Sequence, residues 1–141
     1  MIDELSNFRF HYPIQVRYSD MDMLGHANNA VYLTYLELAR LGYFQEVGTR
    51  SQAHRALVLA HANMDFKVPL TPEVKPLVHM RTVKVGNSSL TMDNMITDQG
   101  RERIFYTATL VLVAIDTQTG RPTPISGAEK QKITAYEPAF A

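Results

Sequence analysis

From Val31 to Val47 the chain reads VYLTYLELARLGYFQEV, and on a helix its apolar residues would run nearly all the way round. Val31, Tyr32, Leu33, Tyr35, Leu36, Leu38, Ala39, Leu41, Tyr43, Phe44 and Val47 leave little surface for water. A helix of this kind must be buried, or covered by a sheet on one side and a partner on another. The pattern predicts a helix from about Asn29 to Val47, with Asn28 or Asn29 as N-cap and Gly48 as the C-terminal stop.

What surrounds the helix follows from the alternation on either side of it. Phe8 to Tyr18 reads as a strand interrupted by Pro13, which suits an edge position. After the helix come Ala56–His61 and Met64–Val68 with an irregularity near Ala62 and Asn63, then a loop marked by Pro69, Pro72 and Pro76. Strand patterns follow over Val78–Val85, Ser89–Thr97 and Arg103–Ile115, separated by Gly86-Asn87 and by Asp98-Gln99-Gly100. Thr117–Gly120 and the segment RPTPI close the sheet, and the tail after Ser126 reads as a weak helix or coil. One strand, a long helix and four strands joined by short turns predict an α+β fold with an antiparallel sheet curled around a buried helix. With 141 residues the whole chain is expected to be a single domain, and its surplus apolar surface predicts an oligomer.

Charge and composition remove several functions. Lys plus Arg and Asp plus Glu are both 14, so no basic excess points to nucleic acid. The chain has no cysteine, which excludes disulfides and thiolate chemistry. MIDELSNFRF lacks the basic and apolar regions of a secretory signal, and no apolar run approaches the roughly 20 residues of a membrane span. A cytoplasmic protein without membrane or nucleic-acid partners is the expectation.

Reactive side chains concentrate in one place. The stretch SDMDMLGHANNA, residues 19–30, holds Asp20, Asp22, Gly25, His26, Asn28 and Asn29 directly before the helix. Backbone N–H groups near Asn29 and Ala30 would be unpaired there, and the helix dipole favours developing negative charge. Asp20, Asp22 and His26 could in principle hold a divalent metal, but His11, His54, His61 and His79 show no ligand spacing and are expected at surface or loop positions. No metal is expected. Glu37 and Arg40, three apart on the helix, suggest an intrahelical or interfacial ion pair.

The run DMDMLGHANNAVYLTYLELAR, followed in order by MDFKVPL, VKVGNSSLTM and TLVLVAIDTQTGRPTPIS, resembles the hotdog-fold acyl-CoA thioesterases of the 4-hydroxybenzoyl-CoA thioesterase type. The resemblance spans roughly residues 10 to 133. It implies a five-stranded antiparallel sheet wrapped around one long helix, a homodimer joining two sheets edge to edge or a tetramer of such dimers, and hydrolysis of an acyl-CoA without a separate cofactor. Asp22 matches the family's carboxylate for attack or water activation, and Asp20 is left to capping or a structural salt bridge. His26, in an HANN run similar to the HVNN of acyl-carrier-protein thioesterases, would orient Asp22 or the carbonyl, and Asn29 would offer its N–H. Gly25, Lys67, Lys84, Ser88 and Ser89 are the substrate-binding candidates, the lysines for CoA phosphates and the serines in a turn that the family places near the nucleotide. Arg81 and Arg103 are further basic candidates. Two other readings remain at this point: a hotdog-fold enoyl-CoA hydratase or dehydratase, disfavoured by the missing Asn-Pro and the Asp22–His26 spacing, and a non-catalytic acyl-CoA-binding module.

Overall fold

Alternation decides which side of each strand meets the helix. The computed structural model describes residues 2–49 and 53–140. In it β1 (Phe10–Pro13), β2 (Arg55–Phe66), β3 (Pro76–Val85), β4 (Ser89–Asp98) and β5 (Ile104–Asp116) form one antiparallel sheet in the order β1-β3-β4-β5-β2. Helix α1 (Val31–Val47) lies on one face, and α2 (Gly127–Tyr136) follows the last strand. Val78, Met80, Leu90, Met92, Ile96, Leu110 and Leu112 point at α1 and meet Tyr32, Tyr35, Leu36, Ala39, Tyr43 and Val47. Each such side chain removed from water contributes about 1.5–3 kcal/mol, so this layer dominates the stability of the fold. The α+β arrangement is the one the strand and helix pattern predicts.

The helix is covered on one side only. Tyr43 and Leu36 are fully buried, whereas Leu38 and Leu41 are 48% and 68% exposed on the opposite side. α1 begins at Val31, two residues later than predicted, and neither asparagine is its boundary residue. Asn28 nevertheless does a cap's work: its Oδ1 accepts from Ala30 N at 2.9 Å and its carbonyl from Val31 N at 2.9 Å. Gly48 ends the helix at φ +86, a conformation that favours glycine.

The first strand is much shorter than predicted, because Pro13 ends it and the carboxylate of Asp20 draws residues 17–20 into a tight 3₁₀ turn. β2 is one continuous strand whose irregularity lies between Leu59 and His61. The tail is a full helix: Ser126 Oγ caps α2 by accepting from Glu129 N, and Arg55 binds Glu129 at 2.7 Å. Beyond it, Glu137 is buried and accepts from Tyr43 Oη at 2.9 Å; burial pushes its carboxyl up despite that bond. No helix among the described residues is long and apolar enough to cross a membrane.

His79 departs from its predicted surface position. It lies on the sheet face away from α1, yet it is only 3% exposed, because the N-terminal segment folds over it with Phe8 edge-on to its ring. Thr97 Oγ1 donates to Asp98 O, so it accepts from His79 Nε2 at 2.8 Å, which fixes the imidazole tautomer. Burial, aided by Arg101 and His11, pushes this imidazole down to about 4.

Candidate active site

Residues 20–28 form a miniature two-stranded ladder at the entrance to α1. Met21 bridges Ala27, Asp22 N donates to His26 O at 2.8 Å, and Asn28 N donates to Asp20 O at 2.8 Å. The turn between them closes through Gly25 N to Asp22 O, and Gly25 adopts φ +74. Asp22 Oδ1 accepts from Leu24 N at 2.8 Å and from His26 N at 3.2 Å. The ordinary turn role of an aspartate is thus filled by one oxygen. Oδ2 has no protein partner among the described residues and faces solvent.

Asp20 ties this loop to the helix. Its side chain is 2% exposed, and its Oδ2 accepts from Arg17 N at 2.9 Å and from Tyr35 Oη at 2.8 Å. Its Oδ1 pairs with Arg17 Nη2 at 3.0 Å. Burial works against the charge, but the donors from Arg17 and Tyr35 outweigh it and hold the carboxyl below its usual range. The structural salt bridge expected for Asp20 is present. Tyr35 and Arg17 are positioning residues that sequence reading missed: a tyrosine in an apolar helix reads as core, and nothing local marks its hydroxyl as the anchor of a loop 15 residues earlier.

On the other side, Ala27 N donates to Leu70 O at 2.8 Å and Leu70 N donates to Tyr32 Oη at 3.3 Å. The loop is held from three directions before the helix starts. Of the N–H groups expected to be free near Asn29 and Ala30, Ala30 N is taken by Asn28 Oδ1, and the next one along, Val31 N, by the Asn28 carbonyl. Asn29 N alone of these has no acceptor among the described residues. A free carboxylate oxygen and a free helix-entrance N–H are therefore held on one rigid loop. That pairing suits attack on a carbonyl whose oxygen needs a donor.

The remaining candidates fall into two groups. Lys67 is exposed just past β2, its N–H on Phe105 O, three residues before the Leu70 that braces the loop. It shares an end of the sheet with Asp22, Gly25, His26 and Asn29. Lys84, Ser88 and Ser89 lie at the other end, where Ser89 is level with Val113 of β5, whereas Phe66 is level with Tyr106. Seven strand positions separate those two levels, roughly 23 Å at 3.3 Å per residue. A single chain does not bring the two groups together. Nor is the predicted Glu37–Arg40 ion pair formed within the chain: no contact within 4 Å joins them among the described residues, although Glu37 still favours the Arg40 charge.

Known proteins share this architecture and sequence pattern. A family model described as the thioesterase-like superfamily matches residues 16–133. The chain is 37% identical to a thioesterase from Thermus thermophilus whose crystal structure contains coenzyme A and Zn, with a TM-score of 0.81 over 93% of this chain and 96% of that one. It is 28% identical over 129 residues to the uncharacterized protein YsmA of Bacillus subtilis (strain 168), covering 91% of this chain and 87% of the other. A 1,4-dihydroxy-2-naphthoyl-CoA thioesterase from Synechocystis shares the fold at 21% identity, with a TM-score of 0.78 over 88% of this chain and 94% of that one.

Proposed function

The chain belongs to the thioesterase-like superfamily, and from that membership we propose that it hydrolyses the thioester of a fatty or aromatic acyl-CoA at the loop before α1. The observation that carries this reading is the free Oδ2 of Asp22 held on the same braced loop as the free N–H of Asn29. Asp22 either deprotonates a water that attacks the thioester carbonyl, or attacks it directly to form an acyl–aspartyl anhydride that water then hydrolyses. Asn29 N–H receives the oxyanion, and His26 orients the reacting groups. The carbon–sulfur bond breaks, the acyl group leaves as a carboxylate, and the CoA sulfur takes up a proton. An aligned N–H at the oxyanion contributes about 3–4 kcal/mol to the transition state by analogy with other acyl-transfer sites. Coenzyme A bound by the Thermus relative supports a CoA-type ligand here.

The proposal includes a second copy of the chain. β1 is a four-residue edge blunted by Pro13, but β2 is a twelve-residue edge that leaves Val58, Leu59 and Phe66 exposed. A long apolar edge is unstable alone and invites pairing. A copy laid antiparallel on β2 brings the Lys84, Ser88 and Ser89 end of one sheet beside the Asp22 end of the other. It also removes water from Asp22, which a single chain leaves exposed. The homodimer, or a tetramer built from it, therefore completes the substrate site.

A panel of short, long and aromatic acyl-CoAs with a thiol-trapping reagent tests the reaction. Release of CoA thiol from at least one member is expected, and Asp22→Asn should lower kcat/KM by about 10²–10⁴-fold, the range for losing a positioned acid or base. Silence across the panel would refute the reaction. Undiminished turnover in Asp22→Asn would refute the role of that carboxylate.

A further inference from the structure

We propose that the tip of the Asp22 loop docks on a second copy of the chain, with Met23 and Leu24 seated in the cavity between α1 and the start of β2. The contact holds each reactive loop from across the dimer. The four most exposed large apolar side chains among the described residues all lie on these two features. Met23 is fully exposed, Tyr18 86% and Leu24 77%, and all three stand on the segment that carries Asp22. The fourth, Leu41, walls the cavity together with Phe44, Ala56 and Leu57. The cavity has a volume of about 590 Å³. Glu37 and Arg40 line it with opposite charges, so it favours neither an anion nor a cation, and its apolar wall decides what fits.

Apolar surface concentrated in this way marks a contact. The tip is also rigid: the Met21–Ala27 bridge, Gly25 N on Asp22 O and Leu24 N on Asp22 Oδ1 fix its backbone. It cannot reach the cavity of its own chain. Leu57 is level with Ala114 of β5 and Phe66 with Tyr106, eight positions or roughly 26 Å apart. The loop lies beyond Phe66, where Leu70 braces it. Tip and cavity thus mark opposite ends of one free edge, that of β2. A copy paired antiparallel on that edge is related by a two-fold axis. The axis carries the tip end of each chain to the cavity end of the other, so the same contact forms twice. A projecting group and its seat on one chain, at opposite ends of one edge, are what a symmetric interface requires, and they commit the occupant to a second copy.

This inference rests on the antiparallel dimer proposed above, and its cross-linking test is independent of the reaction. The chain has no cysteine, so single introduced cysteines report proximity without background. Tagged Leu24→Cys copies are co-expressed with untagged Leu57→Cys or Leu41→Cys copies and treated with a short bismaleimide. A covalent mixed dimer is expected, at least tenfold above the like-with-like product of Leu24→Cys alone, whose two tips lie at opposite ends of the interface. Sedimentation velocity of the untreated protein reads the dimer itself. A dimer without the mixed cross-link overturns the seat and leaves the β2 pairing standing; a chain that stays monomeric overturns both. If the cross-link is absent and Leu57→Trp lowers kcat/KM for dodecanoyl-CoA but not for butyryl-CoA, the cavity belongs to the acyl chain and the seat is refuted. In the double variant Met23→Ser, Leu24→Ser, kcat should fall at least fivefold with KM within twofold; an unchanged kcat overturns the hold on Asp22. A cross-link in a protein that cleaves no acyl-CoA supports the contact and refutes only the reaction.

Discussion

Replacing Asp20 with Asn should loosen the loop that carries Asp22 and leave the core intact. In the wild type Oδ2 receives two donors, Arg17 N and Tyr35 Oη, and Oδ1 pairs with the Arg17 guanidinium. An asparagine can turn its carbonyl oxygen to the Oδ2 position and keep the first two bonds, now without charge assistance. The amide NH₂ then faces the guanidinium, which is 66% exposed and can swing into water. The exposed half of the pair is worth about 0–1 kcal/mol, and loss of charge on two hydrogen bonds costs about 1 kcal/mol each. The total is about 2–3 kcal/mol, or a fall in Tm of roughly 6–10 °C for a chain of this size. Differential scanning calorimetry reads the first number. Thioesterase turnover reads the second consequence, a drop of tenfold or more in kcat as the Asp22 loop loses its anchor. A double-mutant cycle with Tyr35→Phe should show a coupling of about 1 kcal/mol or more, since the two groups share a bond. An Asp20→Asn protein that melts within 1 °C of wild type, with no coupling to Tyr35, would refute this account of the loop.

Gly25→Ala should cost about 1–2 kcal/mol in urea unfolding, because φ +74 disfavours any L side chain although nothing within 4 Å obstructs a Cβ. Its turnover should fall by more than its stability, since the turn sets Asp22; equal turnover would detach the turn from catalysis. For His79 the native imidazole stays neutral down to about 4, whereas the unfolded chain takes a proton near 6.5. Its contribution is therefore complete above about pH 6.5 and is lost as pH falls toward 4, by about 3 kcal/mol over that window. His79→Gln keeps a donor for Thr97, so the difference between wild-type and variant stability should shrink across those pH values; a pH-independent difference would show that the ring is not held neutral.

Much of the architecture is legible locally. The β-hairpin signals at 86–87 and 98–100, the strand alternation and the Gly48 stop all report interactions among near neighbours, and they appear where the pattern puts them. The predicted first strand stops at Pro13, and beyond it the Asp20 carboxylate closes a tight turn on Arg17 N that Tyr35, 15 residues later, braces through its hydroxyl. His79 fails for a non-local reason, buried by a segment about 70 residues earlier. The loop motif itself is visible as composition, but its chemistry depends on which acceptors are already engaged. Ala30 N and Asn29 N look alike in sequence, and only the Oδ1 of Asn28 tells them apart.

The order and type of the elements, an apolar helix ahead of four hairpin-linked strands, follow from hydrophobic period and turn chemistry, which are properties of short windows of sequence. So does the gathering of carboxylate, imidazole and amide groups at the helix entrance. Tertiary structure decided which groups there remain unsatisfied, because a hydrogen-bond partner is a matter of distance in space. It also separated Lys84, Ser88 and Ser89 from Asp22 by the length of the sheet.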